Sequence, residues 1–236
     1  MFIFYQPDIK QGVFQLDPEE SRHCVKVLRK KEGDPIRIAD GKGTFYDAVI
    51  SDANAKACGF EIVQEKFIAP DSFHIHIALA PTKNLDRTEW FVEKAIEIGI
   101  HQLSFILCDN AERKVLKTER LIRKAISAMK QSQRAYLPQI SELTGFGEFV
   151  GQEKAKHQLI AYLGEHPQPE LVNAVSPASS YLVLIGPEGD FSNQEVKQAI
   201  AFGYQPVSLG KSRLRTETAG ITACHTLQIL QFLQLS

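Results

Sequence analysis

The sequence lacks most of the features that mark secreted, metal-binding or membrane proteins. Its four cysteines, Cys24, Cys58, Cys108 and Cys224, lie far apart, and no two of them form a CxxC motif. A zinc site and a disulfide framework are therefore not expected, and a reducing compartment fits best. The first residues do not read as a signal peptide, and no apolar run reaches the roughly 18–20 residues that span a bilayer. We expect a cytoplasmic protein that binds neither a membrane nor a metal.

The chain also lacks an excess of charge of either sign. Its formal net charge is −1, and 23% of its residues are charged against 44% hydrophobic. This is the composition of an ordinary globular protein, and 236 residues allow one or two domains. A protein of this charge does not bind polyanions over its whole surface. Any nucleic-acid site must be a local basic patch.

Residues 1–68 are predicted to form a small β-barrel that carries one helix. Segments rich in β-branched and aromatic residues predict strands at 2–5, 13–16, 36–40, 44–51 and 59–64. Asp17 is placed to cap a helix, Pro18 suits its first position, and Glu20 is expected to complete a capping box. The stretch 67–72 is a plausible linker.

From residue 73 onward, strand and helix patterns alternate, which predicts an α/β fold with a parallel sheet. Strands are predicted at 74–80, 103–107, 158–163, 181–185 and 205–209. A helix opened by Asp86 and its neighbours is expected to end at Gly99, and a second capping box begins at Ser192. Trp90 is expected in the core. The last helix is apolar nearly all round, so we expect it to be buried on more than one side.

Two loops follow successive predicted strands near the end of the chain. The first, GPEGDFS, spans 186–192, and the second, KSRLRTETAG, spans 211–220. Ligands of open α/β sheets lie beyond the carboxyl ends of the strands. Neither loop matches the dinucleotide fingerprint or the P-loop, and each alone could be a capped turn. Together they indicate a site for a nucleotide-like ligand.

These loops carry a resemblance to a known family. The order I-GPEG-x-FS-xx-E followed by LG and LRTETA closely resembles the C-terminal region of the small-subunit (16S) ribosomal RNA uridine-N3 methyltransferases, which belong to the SPOUT superfamily. Upstream, HCVKVLR from His23, Lys83 with Glu89, EKAIEIGI at 93–100, and Gln131-Ser132 with Arg134 and Pro138 also resemble family motifs. The resemblance spans nearly the whole chain.

The chain departs from the family pattern at three places. Asp190 stands where the family usually has a second glycine after GPEG, and Lys130 stands where a glutamate usually precedes Gln131. Ser212 and Arg213 replace the common Arg-Ile before LRTETA. Asp190 could alter the geometry of its loop or add a charge beside the cofactor.

The resemblance implies a fold, a cofactor and a partner. Residues 1–68 would form a PUA-like RNA-binding barrel. Residues 73–236 would form a SPOUT methyltransferase domain with a C-terminal trefoil knot, in which the last helix threads a loop. The protein would act as a homodimer that binds S-adenosylmethionine inside the knot. Its substrate would be a uridine of small-subunit ribosomal RNA, methylated at N3.

The same resemblance places the site residues. Arg215 is expected to stabilise negative charge on the base, and Glu217 to accept a proton or orient Arg215. The residues expected to bind the cofactor are Ile185, Gly186, Pro187, Glu188, Gly189, Leu209, Gly210, Leu214, Thr216, Thr218 and Ala219.

Two basic surfaces could contact RNA phosphates. In a helix at about 120–134, the basic residues fall on one arc and the apolar residues on the opposite arc. A second basic cluster lies between residues 22 and 31. Either surface could instead be a solvated face. The residues predicted to bind RNA are Arg22, Arg29, Lys83, Arg123, Lys124 and Arg134.

Two other functions stay open. A different SPOUT enzyme would methylate a ribose oxygen or another base. A ribosome-assembly factor that binds RNA without catalysis is the second alternative. His74 and His76 alternate on a predicted strand without metal-ligand partners, so a structural role is expected for both.

Overall fold

The contacts within the chain divide it into two units. The computed structural model describes residues 2–164, 167–176 and 178–233. One unit contains the residues up to Pro70 together with Ile126–Leu137, and the other contains Asp71–Ala125 together with the residues from Pro138 onward. The assignment of domains to 1–68 and 73–236 remains a prediction.

The first unit is built on a β-sheet. Its strands in the described residues are β1 (Ile3–Tyr5), β2 (Pro35–Ala39), β3 (Thr44–Asp52) and β4 (Gly59–Phe67), paired in the order β1-β2-β3-β4. β1 is parallel to β2, and the other neighbours are antiparallel. Along β3 every second side chain is buried, from Thr44 to Ile50. This period of two places one face of the strand against the core of the unit.

The helix of the first unit begins where the sequence predicts it. Helix α1 spans Pro18–Arg22, and the side chain of Asp17 accepts a hydrogen bond from the Glu20 backbone N–H at 2.8 Å. The reciprocal half of the expected capping box does not form, because the Glu20 carboxylate pairs with Lys130 instead. Asp17 therefore caps the helix alone.

The second unit contains a sheet whose paired strands are all parallel, as the alternating pattern predicts. Among the described residues, the paired order is β10-β8-β9-β5-β6-β7. The strands are β5 (His74–Leu79), β6 (Gln102–Leu107), β7 (Gln139–Gly145), β8 (His157–Ala161), β9 (Ser180–Ile185) and β10 (Gln205–Val207). The helices are α2 (Leu85–Ile98), α3 (Thr118–Gln131), α4 (Phe146–Gln152), α5 (Leu171–Ala174), α6 (Asn193–Ala201) and α7 (Thr216–Phe232). Helix α3 is divided between the two units. Residues 118–125 belong to the second unit and residues 126–131 to the first.

The central strands β5 and β9 are buried along almost their whole length, which explains their continuous apolar sequences. His76 in β5 is a polar residue among these buried apolar side chains, and it is only 4% exposed. Its Nε2 lies 2.8 Å from the hydroxyl of Ser104 on the neighbouring strand β6. His76 is thus a buried, hydrogen-bonded residue of the sheet, in agreement with its expected structural role.

Helix ends in the second unit follow the local sequence. Gly99 has a φ of 117° and ends α2 as predicted, a conformation that glycine adopts without strain. The start of α2 differs from the expectation, because Asn84 rather than Asp86 caps it. At α6 the predicted capping box forms: Ser192 accepts from the Glu195 N–H, and the Glu195 carboxylate accepts from the Ser192 N–H.

Two further sequence-based expectations are wrong, and two elements of the fold have no clear sequence signal. Residues 13–16 do not form a strand, and only an isolated bridge joins Gln15 to Gly59. Trp90 is 45% exposed on α2 rather than buried in a core. The strand β7 and the helix α4 that follows it were not predicted, because the half-exposed side chains of β7 show no clean alternation.

The last helix, α7, buries one face in this chain. Gly220, Ala223 and Leu227 belong to its buried side, and α7 packs against α2 and the neighbouring strand β5. Its opposite side exposes Ile229 and, near its end, Phe232. The sequence predicts that α7 is buried on more than one side. Within a single chain, only one side of α7 is buried.

Two negative findings apply to residues 2–164, 167–176 and 178–233. None of their helices combines the length and the apolar character needed to cross a bilayer. They also contain no group of three or more His, Cys, Asp or Glu side chains that could hold a metal ion.

Candidate functional site

A cavity of about 270 Å³ opens in the second unit, beyond the carboxyl ends of β8, β9 and β10. These strands are neighbours in the sheet, so their terminal loops converge at one edge. The lining residues are Ala161, Tyr162, Leu163, Ile185, Gly186, Pro187, Glu188, Asp190, Val207, Ser208, Leu209, Gly210, Ser212, Arg213, Leu214, Arg215, Thr216 and Ala219.

The loop after β9 supplies one wall of the cavity and depends on glycine for its path. A Cβ on Gly186 would lie 3.1 Å from two ring carbons of Phe191 and 3.3 Å from its backbone nitrogen. Any larger residue would push this loop off the buried Phe191 ring. The loop closes on itself where the Asp190 N–H donates to the Pro187 carbonyl at 2.9 Å.

The loop after β10 supplies the facing wall and ends at the first turn of α7. Arg215 is the N-cap residue of this helix, and its own side chain makes no capping hydrogen bond. The Thr216 hydroxyl donates to the Gly186 carbonyl at 3.0 Å, so it joins the two loops directly. Thr216 is therefore both the first residue of α7 and a link across the cavity.

Charged side chains also line the cavity. Glu188 accepts a hydrogen bond from the Lys83 backbone N–H through Oε1 at 3.1 Å, while its Oε2 is buried without a hydrogen-bond partner among the described residues. The Arg213 guanidinium donates to the Glu188 carbonyl at 3.3 Å. Arg215 is exposed at the rim. The cavity thus offers a carboxylate oxygen inside and a guanidinium at its mouth.

The structure brings most of the predicted cofactor residues together around this cavity. Gly189 and Thr218 are the two that do not line it. Of the two residues expected to be catalytic, Arg215 lines the cavity and Glu217 does not. Glu217 is 8% exposed, and its Oε1 lies 3.9 Å from Nε of Arg87 on α2.

Several lining residues were missed by sequence reasoning. Tyr162 and Leu163 follow β8, and Ser208 follows β10. The sequence predicts both strands, but their adjacency to β9 follows from the strand order, which local patterns do not reveal. In the sequence, Arg213 and Asp190 stand out only as departures from the family pattern.

The predicted RNA-binding residues are dispersed and differ in their surroundings. Lys124 pairs with Glu93 at 3.0 Å, whereas Arg123 is exposed and forms no ion pair with the described residues. Lys83 pairs with Glu112 at 2.7 Å, and this contact raises the pKa of the Lys83 ammonium. In the first unit Arg22 and Arg29 are exposed, and Arg134 is half-buried.

The basic arc of α3 is partly neutralised by acids of the same chain. Arg120 pairs with Glu89, and Lys130 pairs with Glu20. Both carboxylates are largely buried, and each ion pair reduces the positive potential that a phosphate would meet at this helix. Arg123 is consequently the strongest candidate for a phosphate contact on this helix.

Comparison with known proteins places the chain among RNA methyltransferases. The family model of the RNA methyltransferase domain matches residues 69–228, and that of the RNA methyltransferase PUA domain matches residues 16–63. The crystal structure of a probable rRNA-methyltransferase from Porphyromonas gingivalis is 42% identical, covers 99% of this chain and 100% of its own, and has a TM-score of 0.92.

Two relatives share the name Ribosomal RNA small subunit methyltransferase E. The protein from Neisseria gonorrhoeae, whose crystal structure contains S-adenosyl methionine, is 27% identical, covers 98% of each chain and has a TM-score of 0.87. The protein from Buchnera aphidicola is 28% identical over 97% of this chain and 92% of its own length. Since the methyltransferase model alone matches well over half of the residues, this chain belongs to the RNA methyltransferase family.

Proposed function

We propose that this protein transfers a methyl group from S-adenosylmethionine to N3 of a uridine in small-subunit ribosomal RNA. The observation that carries the proposal is the cavity formed by the GPEGD and LRTETA loops at the sheet edge. Membership of the RNA methyltransferase family and the S-adenosyl methionine bound to the Neisseria relative support the choice of cofactor.

The residues of the cavity fit this cofactor. The apolar side chains of Ile185, Leu209 and Leu214 suit a flat adenine ring, and the absence of a side chain at Gly186 leaves its backbone open to a ligand. The buried, unpartnered Oε2 of Glu188 can accept a hydrogen bond from a ligand hydroxyl or ammonium group. Unpaired buried carboxylate oxygens are costly, so a bound donor would stabilise this one.

When bound, S-adenosylmethionine would supply a methyl group from its sulfonium sulfur: the N–C bond forms as the S–C bond breaks, S-adenosylhomocysteine leaves, and no covalent enzyme intermediate is needed. Uridine N3 becomes electron-rich when its proton passes to water. Arg215 is exposed at the rim of the cavity, where its guanidinium stabilises the negative charge that develops on the uracil ring.

Glu217 is proposed to act through other residues rather than on the base. It lies outside the cavity, beside Arg87, and its Oε2 is buried without a hydrogen-bond partner in the described residues. Glu217 lies in the first turn of α7, two residues after Arg215, so its contact with Arg87 would hold the end of the helix that carries Arg215. This favours the orienting role over direct proton acceptance.

RNA is proposed to be held by basic side chains, of which four are exposed and two are partly buried. Arg22, Arg29, Lys83, Arg123, Lys124 and Arg134 carry this assignment. Phosphate contacts of this kind position an RNA without selecting a base. The choice of uridine is therefore assigned to the cavity and not to these residues.

We further propose the trefoil knot and the homodimer that the SPOUT resemblance implies, in a protein that acts in the cytoplasm. The Thr216 contact to Gly186 is consistent with a C-terminal segment tucked between the cavity loops. The exposed apolar side of α7, including Ile229 and Phe232, supports a second copy as its cover. Sedimentation of the purified protein tests the dimer, since a monomer at working concentration would contradict it.

The function is tested by methyl transfer from labelled S-adenosylmethionine to small ribosomal subunits that lack the modification. N3-methyluridine is the expected product, and Arg215→Ala and Glu217→Gln are expected to reduce turnover. Full turnover by both variants would refute the assigned roles. A methylated ribose or another methylated base would indicate a different SPOUT specificity. Failure to bind S-adenosylmethionine in calorimetry would favour a non-catalytic assembly factor.

A further inference from the structure

Two of the loops that line the cavity are joined by one side chain. Oδ2 of Asp190, in the loop after β9, accepts a hydrogen bond from the backbone N–H of Leu163 at 3.1 Å. Leu163 belongs to the loop after β8, and both residues line the cavity. No backbone ladder reaches this point, because the pairing of β8 with β9 ends at Ala161 and Ile185.

The backbone of Asp190 is held in an uncommon conformation. Its φ is 64°, in the left-handed region that favours glycine and that aspartate and asparagine tolerate better than most residues. The carboxamide of Asn110 donates to the carbonyls of Gly189 and Asp190, at 3.3 and 3.1 Å. The related family usually has glycine at this position, and a φ of 64° is a conformation that glycine adopts without strain.

We propose that Asp190 is a positioning residue that holds the Leu163 loop against the GPEG loop and so preorganises the cofactor cavity. This inference rests on the proposed function, because it assigns Asp190 to the binding of S-adenosylmethionine. Without the link, Leu163 would be free to move, and the cofactor would have to order it on binding. The cost of ordering a wall of the site reduces affinity.

The effect belongs to binding and not to methyl transfer. Asp190 bonds to backbone amides of its own chain, those of Leu163 and Phe191, and Arg215 approaches the cavity from the opposite loop. Removing the carboxylate should therefore raise the dissociation constant and the KM for the cofactor, with kcat unchanged. A group that stabilises the transition state would instead change kcat.

Two substitutions separate the hydrogen-bonding oxygens of Asp190 from its charge and its backbone conformation. Asp190→Gly removes the acceptor but adopts the left-handed backbone without strain, so it should keep the thermal stability. Asp190→Asn removes the charge but keeps an oxygen that can accept from Leu163 and a residue that tolerates the positive φ. Glu148→Gln, at an exposed position of α4, is the matched control for loss of a surface charge.

Calorimetry with S-adenosylmethionine and steady-state methyl transfer on small subunits are measured for all four proteins. We expect Asp190→Gly to bind the cofactor about tenfold more weakly, equivalent to about 1.4 kcal/mol. Asp190→Asn and Glu148→Gln should stay within about threefold of the native protein, a difference under about 0.7 kcal/mol. Native affinity in Asp190→Gly overturns the proposal. Equal weakening in Asp190→Gly and Asp190→Asn also overturns it, because the charge would then be the active property.

Amide hydrogen exchange separates this inference from the proposed function. In the cofactor-free protein, the Leu163 N–H should exchange faster in Asp190→Gly than in the native chain, whether or not the cavity binds S-adenosylmethionine. If the native protein binds no S-adenosylmethionine, the proposed function fails. If it binds and the Leu163 exchange rate is the same in both proteins, the link fails.

Discussion

Replacing Gly220 by alanine should destabilise the second unit, because α7 packs closely against its neighbours at this position. A Cβ at position 220 would lie 2.5 Å from Cε2 of Phe91 on α2 and 3.0 Å from Cδ1 of Leu79 at the end of β5. Both partners are fully buried, so neither ring nor methyl can swing into solvent. Overpacking of this kind costs about 1–3 kcal/mol, while alanine gains up to about 1 kcal/mol over glycine in a helix. At 2.5 Å the contact belongs to the upper part of that range, about 2–3 kcal/mol, so the expected net loss is about 1–2 kcal/mol.

Gly151→Ala is the matched control. It makes the same change in α4, where the new Cβ would meet only the Phe202 ring at 3.7 and 3.8 Å, an ordinary van der Waals distance. This variant should be stabilised by up to about 1 kcal/mol through helix propensity. Urea unfolding followed by circular dichroism and by the fluorescence of Trp90, the single tryptophan, measures both changes.

The packing of α7 predicts that Gly220→Ala lowers the free energy of unfolding and that Gly151→Ala raises it. Gly220→Ala should also weaken cofactor binding, since the first turn of α7 carries Thr216 on the wall of the cavity. If Gly220→Ala is as stable as Gly151→Ala, α7 does not approach α2 as closely as described, and the position of the cavity wall is wrong.

Thr216→Val keeps the shape of the side chain but removes the hydroxyl that donates to the Gly186 carbonyl. Loss of this hydrogen bond should reduce the binding free energy of S-adenosylmethionine by about 1 kcal/mol, which calorimetry would show as binding about fivefold weaker. Burial lowers the pKa of His76 from 6.5 to about 3 in the folded protein, so the unfolded state binds the extra proton first as the pH falls. Stability should therefore be retained above pH 6.5 and decline by about 1.4 kcal/mol per pH unit below it, and His76→Gln should flatten this slope in urea titrations. Arg123→Glu should weaken binding of small-subunit RNA and lower its salt dependence more than Lys124→Glu, because Lys124 already pairs with Glu93; equal effects in filter binding between about 50 and 200 mM salt would contradict this.

Local sequence signals predicted the parts of the site that depend on short-range chemistry. The capping box of Ser192, the helix start at Thr216 and the glycine loop at Gly186 all follow from neighbouring residues, and the structure has them where the sequence indicates. The convergence of the two loops also follows, since parallel strands end at a common edge.

The rest of the site depends on contacts between distant residues. Tyr162 and Leu163 line the cavity only because β8 lies beside β9, and no local pattern encodes that order. The sequence gives no sign that Lys124 has an ion-pair partner, but the packing of the helices places Glu93 of α2 beside it. The same limit applies to Glu217, whose neighbour Arg87 is 130 positions earlier in the chain.

The structure gives a physical explanation for Asp190, which departs from the family pattern. The sequence alone indicates either an altered loop or an added charge at this position. With a φ of 64°, the backbone keeps a shape that glycine would adopt, and the carboxylate bonds to the Leu163 N–H. The residue adds a contact while its backbone stays in a conformation open to glycine.

The most direct test of the proposed function is nucleoside analysis of small ribosomal subunits after incubation with the protein and methyl-labelled S-adenosylmethionine. The subunits come from cells that lack the protein, so that the target position is unmodified. The account predicts label in N3-methyluridine of the small-subunit RNA, and loss of that label with Arg215→Ala. Label in a ribose or another base, or no transfer by a protein that binds the cofactor, would contradict it.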